Sequence, residues 1–281
     1  PLDYMRNNVG PLTKGGELGK VILAVVATGG NPRGFSGVDL VARLTSRYQS
    51  GGYGGTLYED ALAVLALANA GQAVPEAVAA RLIQSQTTDG AWAFTGETAA
   101  GAGDTNTTAL VVQALVAIGK KDAVGRAIDY FRRTQNADAG WPYQVPSAYG
   151  TETDANSTAN VLQALIAAGE PPGNWSKNGR SDPLGALLQL QAAQTGAFNY
   201  QASMPGANLL ATMQAVPALK GSTLARVPVV PALSSTLAAA QPPQTLPVAG
   251  GARSVLASGL ILTGVWLVSA GLFWRQVKRT A

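Results

Sequence analysis

A chain of 281 residues can form one large domain or two, and 47% hydrophobic against 13% charged residues is enough apolar material for a sizeable core. The absence of cysteine and histidine excludes thiolate and imidazole chemistry, and with it zinc sites and Ser/His/Asp or Cys/His constellations. The pI near 9.4 suggests nucleic acid, but Arg253, Arg275, Lys278 and Arg279 lie in a final segment without acidic residues. That leaves 16 basic against 16 acidic residues before it, so the body is balanced and nucleic acid is not expected as a partner.

Pro1 has no charged or apolar leader behind it and reads either as a mature N-terminus or as the start of a partial sequence. Residues 2–7 resemble residues 128–133 and read as an outer helix. Residues 18–28 form an apolar helix stopped at Gly29, and residues 38–48 an amphipathic one running into a short Gln49 to Tyr53 unit. Residues 57–70 are apolar on almost every side, whereas 75–86 open with proline and glutamate, as a first helical turn should.

Two copies of one unit follow. Gln86 to Trp92 matches Gln135 to Trp141, and 104–119 matches 154–169, at offsets of 49 and 50 residues. Self-similarity at that period signals one helical unit stacked on copies of itself. Residues 122–134 supply the outer helix between the copies. A degenerate last copy spans 183–191 and 208–219, with Gln214 matched to Gln163. Gly29, Gly71, Gly119, Gly169 and Gly221 recur at spacings of 42, 48, 50 and 52. The expectation is all-α: five helical hairpins, ten helices, with apolar helices inside and polar-backed ones outside.

From 222 to 253 the periodicity gives way to Pro- and Ala-rich runs, read as a semi-extended linker. Residues 255–274 are twenty residues without a charge, followed by the basic tail. This reads as a transmembrane helix with a cytoplasmic C-terminus, leaving residues 1–221 extracytoplasmic, in the periplasm or at the cell surface. Ala257, Gly264 and Gly271 recur every seven residues, a small-residue stripe against which another transmembrane helix can pack. Expected partners are therefore membrane lipid and other transmembrane and extracytoplasmic subunits.

The Gln-x-x-Asp-x-x-Trp units and the Asp-x-Asn-[Ser/Thr]-Thr-Ala runs resemble the repeats of the squalene/terpene cyclase and prenyltransferase superfamily, over residues 1–221. The resemblance implies an α/α-toroid in which Gln86, Trp92, Gln135 and Trp141 are structural. Relatives close their ring with six or seven hairpins, so five imply a seam. The sequence departs from the enzymes of that superfamily. Each of 104–107 and 154–157 carries one carboxylate where cyclases have an Asp-rich motif, aromatics are 6% of residues, and the zinc ligands of prenyltransferases are missing. The chain is accordingly expected to be no enzyme and to need no metal or cofactor.

Asp104 and Asp154 precede apolar runs, as helix N-caps do. Together with Asn106, Thr108, Gln113, Asn156, Thr158 and Gln163 they gather at the amino ends of the inner helices. There they form either a small-molecule pocket favoured by free N–H groups or a set of caps and satisfied amides. The first functional expectation is a non-catalytic, membrane-anchored accessory or scaffold subunit of a larger bacterial membrane complex, photosynthetic or respiratory. The alternative is a binding module for an apolar small molecule such as an isoprenoid, quinone or carotenoid, and the remote one a cyclase or transferase.

Overall fold

The computed structural model describes residues 2–229, except Tyr149 and Arg180. The reading of 255–274 as a membrane span, the stripe Ala257, Gly264 and Gly271, and most of the linker lie outside the described residues. Among the described residues no helix is long and apolar enough to cross a membrane.

Ten α-helices alternate between two layers. The outer ones are α1 (Leu2–Asn8), α3 (Leu40–Thr45), α5 (Glu76–Gln84), α7 (Gly125–Thr134) and α9 (Pro183–Gln189). The inner ones are α2 (Gly15–Ala27), α4 (Leu57–Asn69), α6 (Thr105–Ala117), α8 (Ala155–Ala168) and α10 (Leu209–Leu219). Outer helices bury one stripe, such as Leu40, Val41 and Leu44 of α3 or Ala127, Tyr130 and Phe131 of α7. Inner helices are buried on nearly every side: ten of the thirteen residues of α6 are buried, so the layer order follows from their polarity. The expected outer helix at 122–134 begins as a 3-10 turn at Lys121–Val124 before α7, and a second such turn, Pro172–Trp175, places Trp175 in the core.

Each inner helix ends the same way. Gly29, Gly71, Gly119, Gly169 and Gly221 all have φ between 66° and 79°. The residue after each donates its amide five residues back, as Gly30 does to Val25 O and Lys120 to Leu115 O. These Schellman closures satisfy carbonyls that a helix end would orphan, and they need a residue without a Cβ in the left-handed region.

The inner helices pack in chain order, α2 on α4, α4 on α6, α6 on α8 and α8 on α10. α2 lies tight against α4 and the loop that leads into it. A Cβ on Gly15 would meet Tyr53 O at 2.2 Å and one on Gly19 would meet Leu62 O at 3.0 Å, so only glycine lets these backbones come together. Packing of comparable extent between α10 and α2 is absent among the described residues. Residues 222–229, expected as the beginning of a linker, instead lie along the inner barrel. Leu224 is buried in the main core and Val227 packs against it.

Candidate functional site at the amino ends of the inner helices

The amino ends of four inner helices, α4, α6, α8 and α10, share one hydrogen-bond scheme, whereas α2 starts at Lys14 without a side-chain cap. The N-cap residue turns the chain in extended geometry and accepts the amide three residues on. Asp104 Oδ1 takes Thr107 N at 2.7 Å, Asp154 Oδ1 takes Ser157 N at 2.7 Å, and Asn208 Oδ1 takes Ala211 N at 2.9 Å. Thr56 Oγ1 takes Glu59 N at 3.2 Å while Glu59 Oε2 accepts Gly55 N at 3.0 Å, a capping box. Asp154 Oδ2 also accepts Ser157 Oγ at 2.8 Å.

Four residues past the cap, a hydroxyl accepts the amide of the aromatic residue that ends the preceding loop. Thr108 Oγ1 holds Trp92 N at 2.9 Å, Thr158 Oγ1 holds Trp141 N at 3.1 Å and Thr212 Oγ1 holds Phe198 N at 2.9 Å. The indole of Trp92 then donates to Leu82 O at 2.6 Å and that of Trp141 to Phe131 O at 2.8 Å, closing carbonyls at the ends of the outer helices. Gln86 Nε2 donates to Gly90 O and Gln135 Nε2 to Ala139 O, each at 3.0 Å, which closes the loop between glutamine and tryptophan.

The first amide of α4, α6 and α8 is taken by the neighbouring repeat. Leu57 N donates to Phe94 O at 3.0 Å, Thr105 N to Tyr143 O at 2.8 Å and Ala155 N to Tyr200 O at 2.9 Å. The acceptor is in every case two residues past the aromatic of the next unit. The N–H groups that would make these ends anion sites are therefore engaged by the cap and by the next repeat.

The remaining polar candidates are engaged as well. Asn106 Oδ1 accepts Asn160 Nδ2 at 3.1 Å, tying α6 to α8, and Asn156 Nδ2 donates to Gln214 Oε1, tying α8 to α10. Gln113 Oε1 accepts the amide of Leu224 at 2.8 Å, whereas Gln163 makes a long 3.4 Å contact to Ala159 O of its own helix. Gln214 lies six residues past its cap, level with Asn160 and not with Gln163. The expected match to Gln163 therefore fails, α10 being shorter than α8.

Three groups escaped the sequence reading. Asp60, fully buried, occupies the position of Thr108 in its own repeat, four residues past Thr56. Its Oδ1 accepts Tyr53 N at 2.6 Å and Gly54 N at 3.2 Å, and Oδ2 pairs with Arg81 Nε at 3.0 Å. Alignment from the caps would have found it. Lys20 on α2 is held below its ordinary pKa by burial, against the pull of Glu17 and Glu59. Asn69, the last residue of α4, stands where α6 has Ala117 and α8 has Ala167.

Burial sets the charge state of the two caps. It pushes Asp104 up to about 6 and Asp154 up to about 7, opposed by the amides and hydroxyls each accepts. Asp60 is raised by burial too, with the Tyr53 amide and the Arg81 guanidinium opposing. Beside the caps, burial pushes Tyr58 and Tyr130 up to about 12. Thr105 Oγ1 and Tyr130 Oη are buried beside each other. Among the described residues no group of three or more carboxylates gathers in metal-binding geometry.

These features define an all-helical repeat fold: alternating helices in two layers, stitched by caps and inter-repeat amides. No protein-family model and no curated protein matches the sequence. Among solved structures the chain is similar to a type II terpene cyclase, MstE, from Scytonema, at 16% identity and a TM-score of 0.48, over 74% of this chain and 62% of that one. It is also similar to ent-copalyl diphosphate synthase from Streptomyces platensis, at 16% identity and a TM-score of 0.36, over 79% of this chain and 52% of that one. The chain thus spans less than two thirds of either protein, and the likeness concerns the fold alone. The all-helical repeat architecture is the one that the sequence repeats led one to expect.

The expectation that the chain is no enzyme is corrected. Both solved structures are named as enzymes. The single carboxylates counted against catalysis are two nearly fully buried groups that can hold a proton near neutrality. Counting carboxylates in a sequence misses what burial does to each of them.

Proposed function

We propose that this toroid is a membrane-tethered, extracytoplasmic module that serves as an accessory or scaffold subunit of a larger membrane assembly. The observation that carries the reading is the use made of the polar residues at the inner-helix ends. Asp104 and Asp154 cap their own helices, Thr108 and Thr158 hold the loops that precede them, and Asn106, Asn156 and Gln113 tie one helix or segment to another. Side chains committed in this way favour a rigid shape over an open polar pocket. The uncharged run 255–274 with its basic flank supports tethering. The stripe Ala257, Gly264 and Gly271 supports docking of that run against another transmembrane helix. Mild solubilisation followed by native electrophoresis and crosslinking tests the reading. The expected result is a larger assembly, with crosslinks from 255–274 to other chains; migration as a free monomer overturns it.

A second reading is favoured by Asp104 and Asp154. Carboxyls with pKa raised to about 6 and about 7 can act as proton donors, the step that starts an acid-initiated cyclisation of an isoprenoid. Incubation with squalene and with prenyl diphosphates, followed by product extraction, tests it. Turnover lost in Asp104→Asn or Asp154→Asn supports this reading, and an absence of turnover across these substrates removes it.

A further inference from the structure

The inner helices α4, α6 and α8 each bury the same stripe. Counted from the cap, the residues one and eight places on are Leu57 and Val64, Thr105 and Val112, and Ala155 and Leu162, and all six have no exposed surface. Being seven residues apart, the two positions share one side of a helix. The amide of the first position donates in each case to a carbonyl of the following unit, Phe94 O, Tyr143 O or Tyr200 O. A junction between repeats therefore has two parts, a covered stripe and one backbone bond.

On α10 both parts are open. After the cap Asn208 the corresponding residues are Leu209, 63% exposed, and Val216, half-buried. Thr212 between them is half-buried as well, where Thr108 and Thr158 have no exposed surface. Leu209 N has no acceptor among the described residues. Among the described helices α10 packs extensively on α8 alone. The chain that follows does not supply the cover, since residues 224–227 run instead to Gln113 of α6 and Asn69 of α4. An exposed leucine on a stripe that three sister helices keep buried marks the face of a missing neighbour.

The three closed junctions specify that neighbour. It is a helical hairpin with a loop aromatic followed, two residues on, by a carbonyl free to take Leu209 N, and with an inner helix that lies over Leu209 and Val216. A second copy of this chain has no such carbonyl to give. Phe94 O, Tyr143 O and Tyr200 O are engaged within the chain, and the loop after Tyr53 is covered by α2, where a Cβ on Gly15 would meet Tyr53 O at 2.2 Å. We propose that the open face of α10 is the docking site for a further hairpin of this repeat class, carried by a different polypeptide. The inference rests on the scaffold reading, for which it names the partner.

The test places the photoreactive residue p-benzoylphenylalanine at Leu209 of the full chain in its native membranes, with separate variants carrying it at Ile83 and within 255–274. Ile83, 39% exposed on the outer helix α5, is the control for an apolar residue outside the open face. Irradiation at Leu209 is expected to give a crosslink to a different chain, mapped by mass spectrometry to the residues just after the aromatic of a Gln-to-aromatic loop. Leu209→Asp changes a side chain that is already exposed, so the chain should stay folded while recovery of that partner falls about tenfold. A crosslink to another copy of this chain, to a protein without such a loop, or equally from Ile83 overturns the proposal, as does the absence of any crosslink at Leu209. The arm at 255–274 keeps the two readings apart. Crosslinks from there with none from Leu209 leave the scaffold reading standing and refute this one, whereas silence at both removes both.

Discussion

The chain buries aspartate in two ways. In the repeat of α4, Asp60 lies four residues past the cap and faces a guanidinium, while in the repeats of α6 and α8 the aspartates are the caps and face only amides and hydroxyls. The backbone task at the fourth position is the same in both, to hold the amide of the loop aromatic. Tyr53 is held by a carboxylate and Trp92 and Trp141 by threonine hydroxyls. A hydroxyl does this without a counter-charge. A carboxylate in the same place requires one, which is why Arg81 of α5 reaches inward from a partly exposed position. Burial raises the pKa of all three, and only at Asp60 does a cation oppose it.

The largest expected effect follows from the unpaired caps. A carboxyl whose folded pKa lies above its unfolded value binds protons more tightly when folded. Its stabilising contribution is therefore full at low pH and is lost as the pH rises. For Asp104 and Asp154 the window runs from the ordinary aspartate value of 3.8 up to about 6 and about 7. Each group contributes a slope of up to about 1.4 kcal/mol per pH unit within it. Urea unfolding of the chain should show stability falling between pH 4 and pH 7 by an amount on the order of a few kcal/mol. Asn at both positions keeps the cap and should flatten that slope. If the doubly substituted chain has the same pH profile as the parent, the caps are not the proton sites and the contrast with Asp60 collapses.

Next in size is the paired carboxylate. Arg81→Leu leaves Asp60 buried with two amides but no cation. Because the guanidinium is partly solvated, the loss should be about 2 kcal/mol, below the value for a fully buried pair. Adding Asp60→Thr imports the arrangement of Thr108, and the double variant should recover to within about 1 kcal/mol of the parent. A double variant no more stable than Arg81→Leu alone would show that Tyr53 needs the charge itself.

The contrast between these repeats also marks what could be read from residues alone. The ten helices, their two layers and the five glycine stops were legible, because composition, caps and breakers all point the same way there. The fourth-position rule was visible in principle, since Thr108, Thr158 and Thr212 share a spacing from their caps. Asp60 disguised it by replacing the hydroxyl with a carboxylate of the same reach. The candidate site was legible as a list but not as a function. Spacing placed Asp104, Asn106, Thr108 and their twins together, and only coordinates show that each is already bonded. The return of 222–229 to the inner helices was hidden by the Pro- and Ala-rich run that follows it. Its partners Asn69 and Gln113 lie 155 and 111 residues from Leu224, and no local pattern encodes contacts at that separation.

The smallest effect belongs to a single neutral contact. Thr108→Val keeps the shape of the side chain and removes the acceptor of the Trp92 amide, leaving a buried N–H without a partner. A loss of about 1 to 2 kcal/mol is expected, with no change in the pH profile because no titrating group is touched. Trp92 is fully buried, so its fluorescence reports whether the loop has shifted. The same valine at Thr158 should act alike and, being in a separate repeat, add to the first within about 0.5 kcal/mol. A cooperative loss well beyond that sum would mean that the loop of one repeat and the helix of the next, joined where Thr105 N meets Tyr143 O, open as one unit.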